Sequence, residues 1–299
     1  MYGYTWYLDV VCEEWNALVW PSPKDLQIVM PLPVRKKYGV KILYQPLFCQ
    51  YLGIFSASDL TTELVSAYLN TCRKVFNYIS AYHFHPENYE LIQLCKHTFR
   101  NGTFHEKYTQ WLSLDKPFEH VRQGYSHDRK LNIRRASKFG WTIKESDDIE
   151  PMICLFQHYH ESKIVGGVRS DSYKLLTTLT EKLLEKKRVK LLYATKDDQV
   201  HAGVMLVGEG EMTIYLFNAA DETGRRQNAR SHLLDHYFKI MAGTDVIFDF
   251  ESPEVESISN FYKNFGAETK PFLCLSMNRL PFLFREIQEL RKRWFLKTR

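Results

Sequence analysis

The sequence predicts an α/β (α+β) protein of two domains, and three observations carry that expectation. Its 299 residues exceed one average core and suggest two cores of roughly 150 residues each. Three short apolar runs between residues 189 and 218 are separated by turn-forming segments, the pattern of strands in a meander. Elsewhere the spacing switches to i, i+4, i+8, as at Leu60, Leu64 and Tyr68, the pattern of an amphipathic helix.

Taken in order, Trp15–Trp20 and Leu26–Leu32 read as strands separated by Pro21-Ser-Pro23, and the basic turn Arg35–Gly39 leads into a strand Val40–Tyr44. Ser58 and Asp59 stand where the cap of the first helix belongs. Val75–Ser80 and Thr103–Leu114 are the next strands. Tyr125–Gly140 reads as a basic helix closed by a glycine C-cap, with Arg129, Lys130, Arg134, Arg135 and Lys138 interleaved among Leu131, Ile133 and Ala136. Two roles stay open for it: a solvated helix face, or contact with a phosphate-bearing donor. A strand Trp141–Lys144 follows, then a helix opened by Pro151 and one from Asp171 to Lys187. Val189–Thr195, Val200–Val207 and Met212–Asn218 form a three-stranded meander joined by the turns Lys196–Gln199 and Gly208–Gly210. Helix Ser231–Ala242, strand Val246–Phe250, helix Glu256–Phe265, strand Phe272–Met277 and a helix from Phe282 complete the order.

Composition excludes several classes. At 44% hydrophobic and 25% charged residues the chain is far from the signature of disorder. Its first residues lack a basic leader, and Asp9, Glu13 and Glu14 interrupt any apolar run. The most apolar window, Ile42–Phe55, is too short to span a bilayer and holds Gln45 and Gln50. A cytoplasmic protein without a membrane span is the expectation. Six scattered cysteines form no CxxC pair, and His83 and His85 have none at zinc spacing, so no metal is expected. A net charge of +5 allows an anionic ligand without requiring one.

Two segments carry candidate chemistry. In Val246–Glu251 the alternation sets Val246, Phe248 and Phe250 on one face and Asp249 and Glu251 on the other, the carboxylates about 7 Å apart. Mutual repulsion and burial raise a carboxylate pKa, which suits a general base for an ammonium substrate. In the other reading, Glu251 and Ser252 cap the next helix and Asp249 meets a lysine. Downstream lies Asn260-Phe-Tyr262-Lys-Asn-Phe-Gly266-Ala267.

The element order from Trp141 to Asn278 resembles the core of the GNAT superfamily of N-acyltransferases. In that family an Arg/Gln-x-x-Gly-x-Gly/Ala loop turns into a helix whose free N–H groups bind the pyrophosphate of acyl-coenzyme A. The corresponding register is Arg226-Gln227-Asn228-Ala229-Arg230-Ser231, which has small residues but no glycine at the two key places. The Asn260–Ala267 segment is similar to the family's Tyr-x-x-x-Gly-Phe helix, with Ala267 replacing Phe. The resemblance implies that Tyr262 protonates the departing thiolate and that Asn260 lies with the donor-binding residues.

More specifically, the chain resembles the Fem-like branch, in which two GNAT-like domains lie in tandem, each a mixed, largely antiparallel sheet flanked by helices. Trp15, Met30–Pro33, Gln45–Gly53, Asn132-Ile-Arg-Arg-Ala136 and Phe248–Ser252 carry that likeness. It implies an N-terminal GNAT-like domain over residues 1–124, a basic bridging helix over 125–140 and a C-terminal GNAT domain over 141–299. Fem transferases carry a long coiled-coil arm for transfer RNA, and no such heptad run occurs here.

Three functions follow as expectations. The first is an N-acyltransferase moving an acyl group from acyl-CoA (acetyl-CoA) to a small-molecule or peptide amine by direct attack. Glu251 or Asp249 would be its base, Tyr262 its acid, and the Arg226–Ser231 turn its pyrophosphate site. The second is a Fem-like aminoacyltransferase using aminoacyl-tRNA, with the basic helix on the RNA backbone. The third is a non-catalytic GNAT-fold binding module.

Overall fold

The computed structural model describes residues 1–164, 166–251 and 255–282. The chain divides into two compact units, one formed by Met1–Lys107 with the segment from Pro271 onward, the other by Tyr108–Lys270. This division counts the expected bridging helix, and the residues from Tyr108 to Gly124 before it, with the second unit. The strand after Lys270 goes to the first.

The first unit contains helix α1 (Thr5–Val11), strands β1 (Glu14–Ser22), β2 (Asp25–Lys37), β3 (Val40–Leu43) and β4 (Phe55–Ser56), helix α2 (Thr62–Val75), strand β5 (Tyr78–His83) and helix α3 (Tyr89–Cys95). Strand β6 (Gly102–Ser113) carries the chain into the second unit. There follow α4 (Phe118–Gln123), α5 (His127–Phe139), β7 (Thr142–Ser146), α6 (Glu150–Tyr159), α7 (Ser170–Glu185), β8 (Val189–Lys196), β9 (Gln199–Glu209), β10 (Met212–Ala220), α8 (Glu222–Arg226), α9 (Ala229–Met241), β11 (Ile247–Asp249) and α10 (Glu256–Lys263). Strand β12 (Glu268–Asn278) returns to the first unit.

Several boundaries move for identifiable reasons. Helix α2 starts at Thr62, later than Ser58 and Asp59 suggest, because Thr61 is the cap and accepts the Leu64 N–H. The same helix runs through Val75, so β5 begins at Tyr78. Helices α1, α3, α4 and α8 are too short to show a full apolar stripe in sequence. The helix expected from Phe282 lies outside the described residues.

In the first unit the strands run β1-β2-β3-β5-β12, with β4 on β2, and only β3 and β5 are parallel. The parallel pair holds only at Ile42↔Tyr78 and Leu43↔Ile79. Beyond it the chain comes back beside β5: Leu52 donates to His83 O, His85 donates to Leu52 O, and the Gln45 amide oxygen accepts the His83 N–H at 2.9 Å. The backbone donors exposed where the strands part are thereby satisfied from within the unit.

In the second unit the order is β6-β11-β10-β9-β8-β7, and only β10 and β11 are parallel. On one face α5, α9 and the turn after α10 bury Ile133, Ala136, Leu233, Leu234, Phe238 and Phe265 against Leu192, Val204, Tyr215, Phe248 and Phe250. Strand alternation turns Leu191, Met205, Val207 and Ile214 to the opposite face, where α6 and α7 contribute Met152, Leu176, Leu179 and Leu183. A sheet clad on both faces by helices keeps its central strands buried, so partial exposure within such a strand marks an opening. Among the described residues no helix is long and apolar enough to cross a membrane.

Candidate active site

That opening lies between β10 and β11. The two strands pair only at Met212↔Ile247, Thr213↔Phe248 and Ile214↔Asp249. Then β10 bulges between Tyr215 and Phe217 and continues to Ala220 against β9. Thr213–Tyr215 and Ala219–Ala220 are buried, whereas Leu216, Phe217 and Asn218 are half-buried. Among the described residues the sheet thus parts at Tyr215, and a strip of β10 has no strand on its β11 side.

Asp249 ends β11 and is fully buried. Its register with Ile214 and Trp111 turns it to the α6/α7 face. One carboxyl oxygen, Oδ1, accepts from Thr109 Oγ1 at 2.6 Å and from the Glu251 N–H at 2.9 Å. The other, Oδ2, is buried without a partner. Burial pushes this carboxyl up to about 8. Glu251 lies past the strand end with φ +46, in the left-handed region that side chains seldom adopt. Burial also pushes its carboxyl well above the usual range.

On the other face, Phe250 stacks on Tyr262 at 4.6 Å between ring centroids, and Tyr215 meets Tyr262 edge-on at 6.0 Å. The Tyr262 hydroxyl is pushed up to about 12 by burial; Glu251 adds to the rise and Arg230 opposes it. Those two charges therefore lie within electrostatic reach of the phenol. Below it, Arg129 of α5 is buried with its guanidinium over Phe261 and Phe265, at 4.0 and 4.2 Å. It donates to Ser231 Oγ and, at 2.8 Å, to Phe261 O. Burial holds it down to about 10.

Helix α9 begins beside the parted strands. Asn228 precedes it at φ +56 and its side chain makes no cap. The first-turn N–H groups of Ala229, Arg230 and Ser231 have no intrahelical acceptor by construction. Arg230 extends from this turn to Asn218 Oδ1, at 2.7 Å, on the half-buried strip of β10. A helix N-terminus with an adjacent arginine suits an anionic group.

No family model matches the sequence, and no curated protein matches it. Solved structures do. FemX matches with 13% identity over 89% of each chain and a TM-score of 0.62. L-PGS from Bacillus licheniformis matches with 9% identity, over 93% of this chain and 88% of that one, with a TM-score of 0.55. A tandem GNAT protein from the clavulanic acid biosynthesis pathway matches with 9% identity, over 90% and 84%, with a TM-score of 0.52. The fold is a Fem-like tandem GNAT fold.

Within this GNAT fold the candidate residues fall into two groups. Asp249, Glu251 and Tyr262 gather at the end of β11, with Asp249 and Tyr262 on opposite faces of the sheet. Arg230, Ser231 and Ala229 form the first turn of α9, which starts two residues earlier than Ser231. The remaining donor candidates stand apart. Arg226 ends α8, is largely exposed and pairs with Glu222 at 2.6 Å. Gln227 caps α8 and accepts from Trp141 Nε1 through its carbonyl. Asn260 is exposed on α10. Arg226–Ser231 is therefore no single open loop, because α8 takes up its first residue. The alternation that set Asp249 and Glu251 on a shared face ends with β11 at Asp249, since the left-handed backbone at Glu251 breaks it. Helix α10 is capped by Val255, so Glu251 is not its cap; Ser252 lies outside the described residues.

Arg129 and Thr109 were not singled out for the site from sequence alone. Arg129 carries a weak signal, because it lies four residues before Ile133, on the buried stripe of the helix. Thr109 carries none, since only strand pairing brings it to Asp249.

Proposed function

We propose that this protein is an N-acyltransferase that moves an acyl group from acyl-CoA, acetyl-CoA in the simplest case, to a primary amine. The observation that supports it most is the parting of β10 from β11, with ionisable side chains at the end of β11 and the uncapped start of α9 beside it. The thioester would lie along the half-buried strip Leu216–Asn218, with the donor's phosphates at the first turn of α9 and Arg230.

Glu251 takes a proton from the substrate ammonium, and the free amine nitrogen attacks the thioester carbonyl. The tetrahedral intermediate collapses with cleavage of the carbon–sulfur bond. Tyr262, held protonated by its raised pKa, gives its proton to the departing thiolate and regains one from the second proton that the new amide nitrogen loses, while Glu251 releases the first to solvent. Peptide amines and small-molecule amines both satisfy this chemistry.

A second reading, transfer from aminoacyl-tRNA, is favoured by one observation. Helix α5 buries Arg129, Ile133 and Ala136 but presents Arg134, Arg135 and Lys138 to solvent, a basic face suited to a phosphate backbone. The two readings separate in a thermal-shift titration. Acetyl-CoA at a hundred times its Kd should stabilise the protein by about 2.7 kcal/mol. If no acyl-CoA raises the melting temperature while charged tRNA binds with steep salt dependence, the second reading replaces the first. If neither binds, the fold acts as a binding module.

A further inference from the structure

The carboxyl of Asp249 is built into the sheet. The strand partners Ile214 and Trp111 flank it, Thr109, itself fully buried, donates to Oδ1, and the same oxygen accepts the N–H of Glu251 two residues on. An aspartate oxygen accepting the N–H of the second residue along closes an Asx turn. Between them, Phe250 donates its N–H to Gln110 O at 3.0 Å, so the backbone entering the turn is tied to β6. The turn ends at Glu251, which has φ +46. A glutamate gains nothing from that conformation on its own and needs the surroundings to hold it.

We infer that Asp249 is a positioning residue: anchored by Thr109, its side chain holds the Glu251 backbone in the left-handed conformation and so sets where the Glu251 carboxyl stands relative to Tyr262. The catalytic part of this inference rests on the proposed function; the conformational part does not. Asp249 is poorly placed to exchange protons with a substrate, being fully buried and on the face of the sheet opposite Tyr262. Its burial instead favours the neutral acid, which an asparagine imitates in shape and charge while keeping an acceptor oxygen.

The test uses Asp249→Asn, Asp249→Ala, Thr109→Val, Glu251→Gly and the double variant Asp249→Ala/Glu251→Gly in the full chain. Turnover at saturating donor should stay within about threefold of wild type in Asp249→Asn. It should fall at least roughly tenfold in Asp249→Ala and by less in Thr109→Val, with KM for the donor unchanged, because only transition-state geometry is lost. Equal losses in Asp249→Asn and Asp249→Ala would overturn the inference and make the aspartate a proton carrier. A second measurement needs no activity. Glycine adopts positive φ at no steric cost, so Asp249→Ala should lower the melting temperature less in the Glu251→Gly background than in wild type. Additive shifts would overturn the holding role. If the wild type transfers no acyl group from any donor, the acyltransferase reading fails, and the melting-temperature cycle alone then decides for or against the holding role.

Discussion

Replacing Gly266 with alanine tests how α10, and with it Tyr262, is seated. Gly266 follows α10 at φ +81, and a Cβ there would stand 2.8 Å from the carbonyl oxygen of Gly124 and 3.0 Å from its carbon. Two costs add. The left-handed backbone costs an alanine about 1–2 kcal/mol. Forcing a methyl against backbone that cannot swing aside costs about 1–3 kcal/mol more. The expected loss is about 2–5 kcal/mol, a fall of about 4–20 °C in melting temperature for a unit of this size. Urea unfolding followed by tryptophan fluorescence measures it. Gly243 supplies the control: it has φ +83 with nothing within 4 Å of the added Cβ, so Gly243→Ala bears only the first cost. If the two variants lose equal stability, the Gly124 contact does not constrain α10 and the reasoning fails.

Tyr262→Phe should lower turnover roughly 100-fold with donor affinity unchanged, the pattern expected when a leaving-group acid is lost; steady-state kinetics with calorimetry separates the two. Arg230→Ala should weaken coenzyme A binding by about 1–3 kcal/mol, as for a lost charge-assisted hydrogen bond. Arg226→Ala should weaken it less, because Arg226 is exposed and already paired with Glu222; equal losses in calorimetry would contradict the placement of phosphate at the α9 turn. Asp249 gives a pH dependence of defined sign. Its folded pKa, about 8, lies above the ordinary 3.8, so the folded state holds the proton more tightly, and this stability is lost as pH rises from about 4 through about 8. Asp249→Asn should flatten that part of the stability profile in urea titrations across the window.

Local pattern made much of the second unit legible. The hairpin between β8 and β9 turns at Asp197 and Asp198, both at positive φ, as their residue type suggests. The Val246–Phe250 alternation sent Phe248 and Phe250 into the core and Asp249 to the other face. Tyr262 falls on the helix expected for it, stacked on Phe250. What escaped the sequence is long-range. Thr109 and Asp249 lie 140 residues apart and meet only through the β6–β11 pairing. The burial of Arg129 depends on two phenylalanines from α10 and its flank. Helix α8 went unread although Asp221 is a strong cap; its five residues bury only Gly224, where a Cβ would stand 2.2 Å from His201 O.

The partition of the chain has a consequence for biosynthesis. The first unit needs β12, whose residues Cys274 to Asn278 pair with β5, whereas the second is complete within Tyr108–Lys270. A ribosome releases the chain from its start, so the β5 edge must wait, unpaired, while every residue of the second unit is made. Folding during synthesis should therefore proceed out of order, with the later unit closing first and the earlier one last. During that interval the waiting β5 edge is open to pairing with other chains. Ribosome-stalled chains ending near residue 270 should accordingly resist protease across the second unit while remaining cleavable in the first.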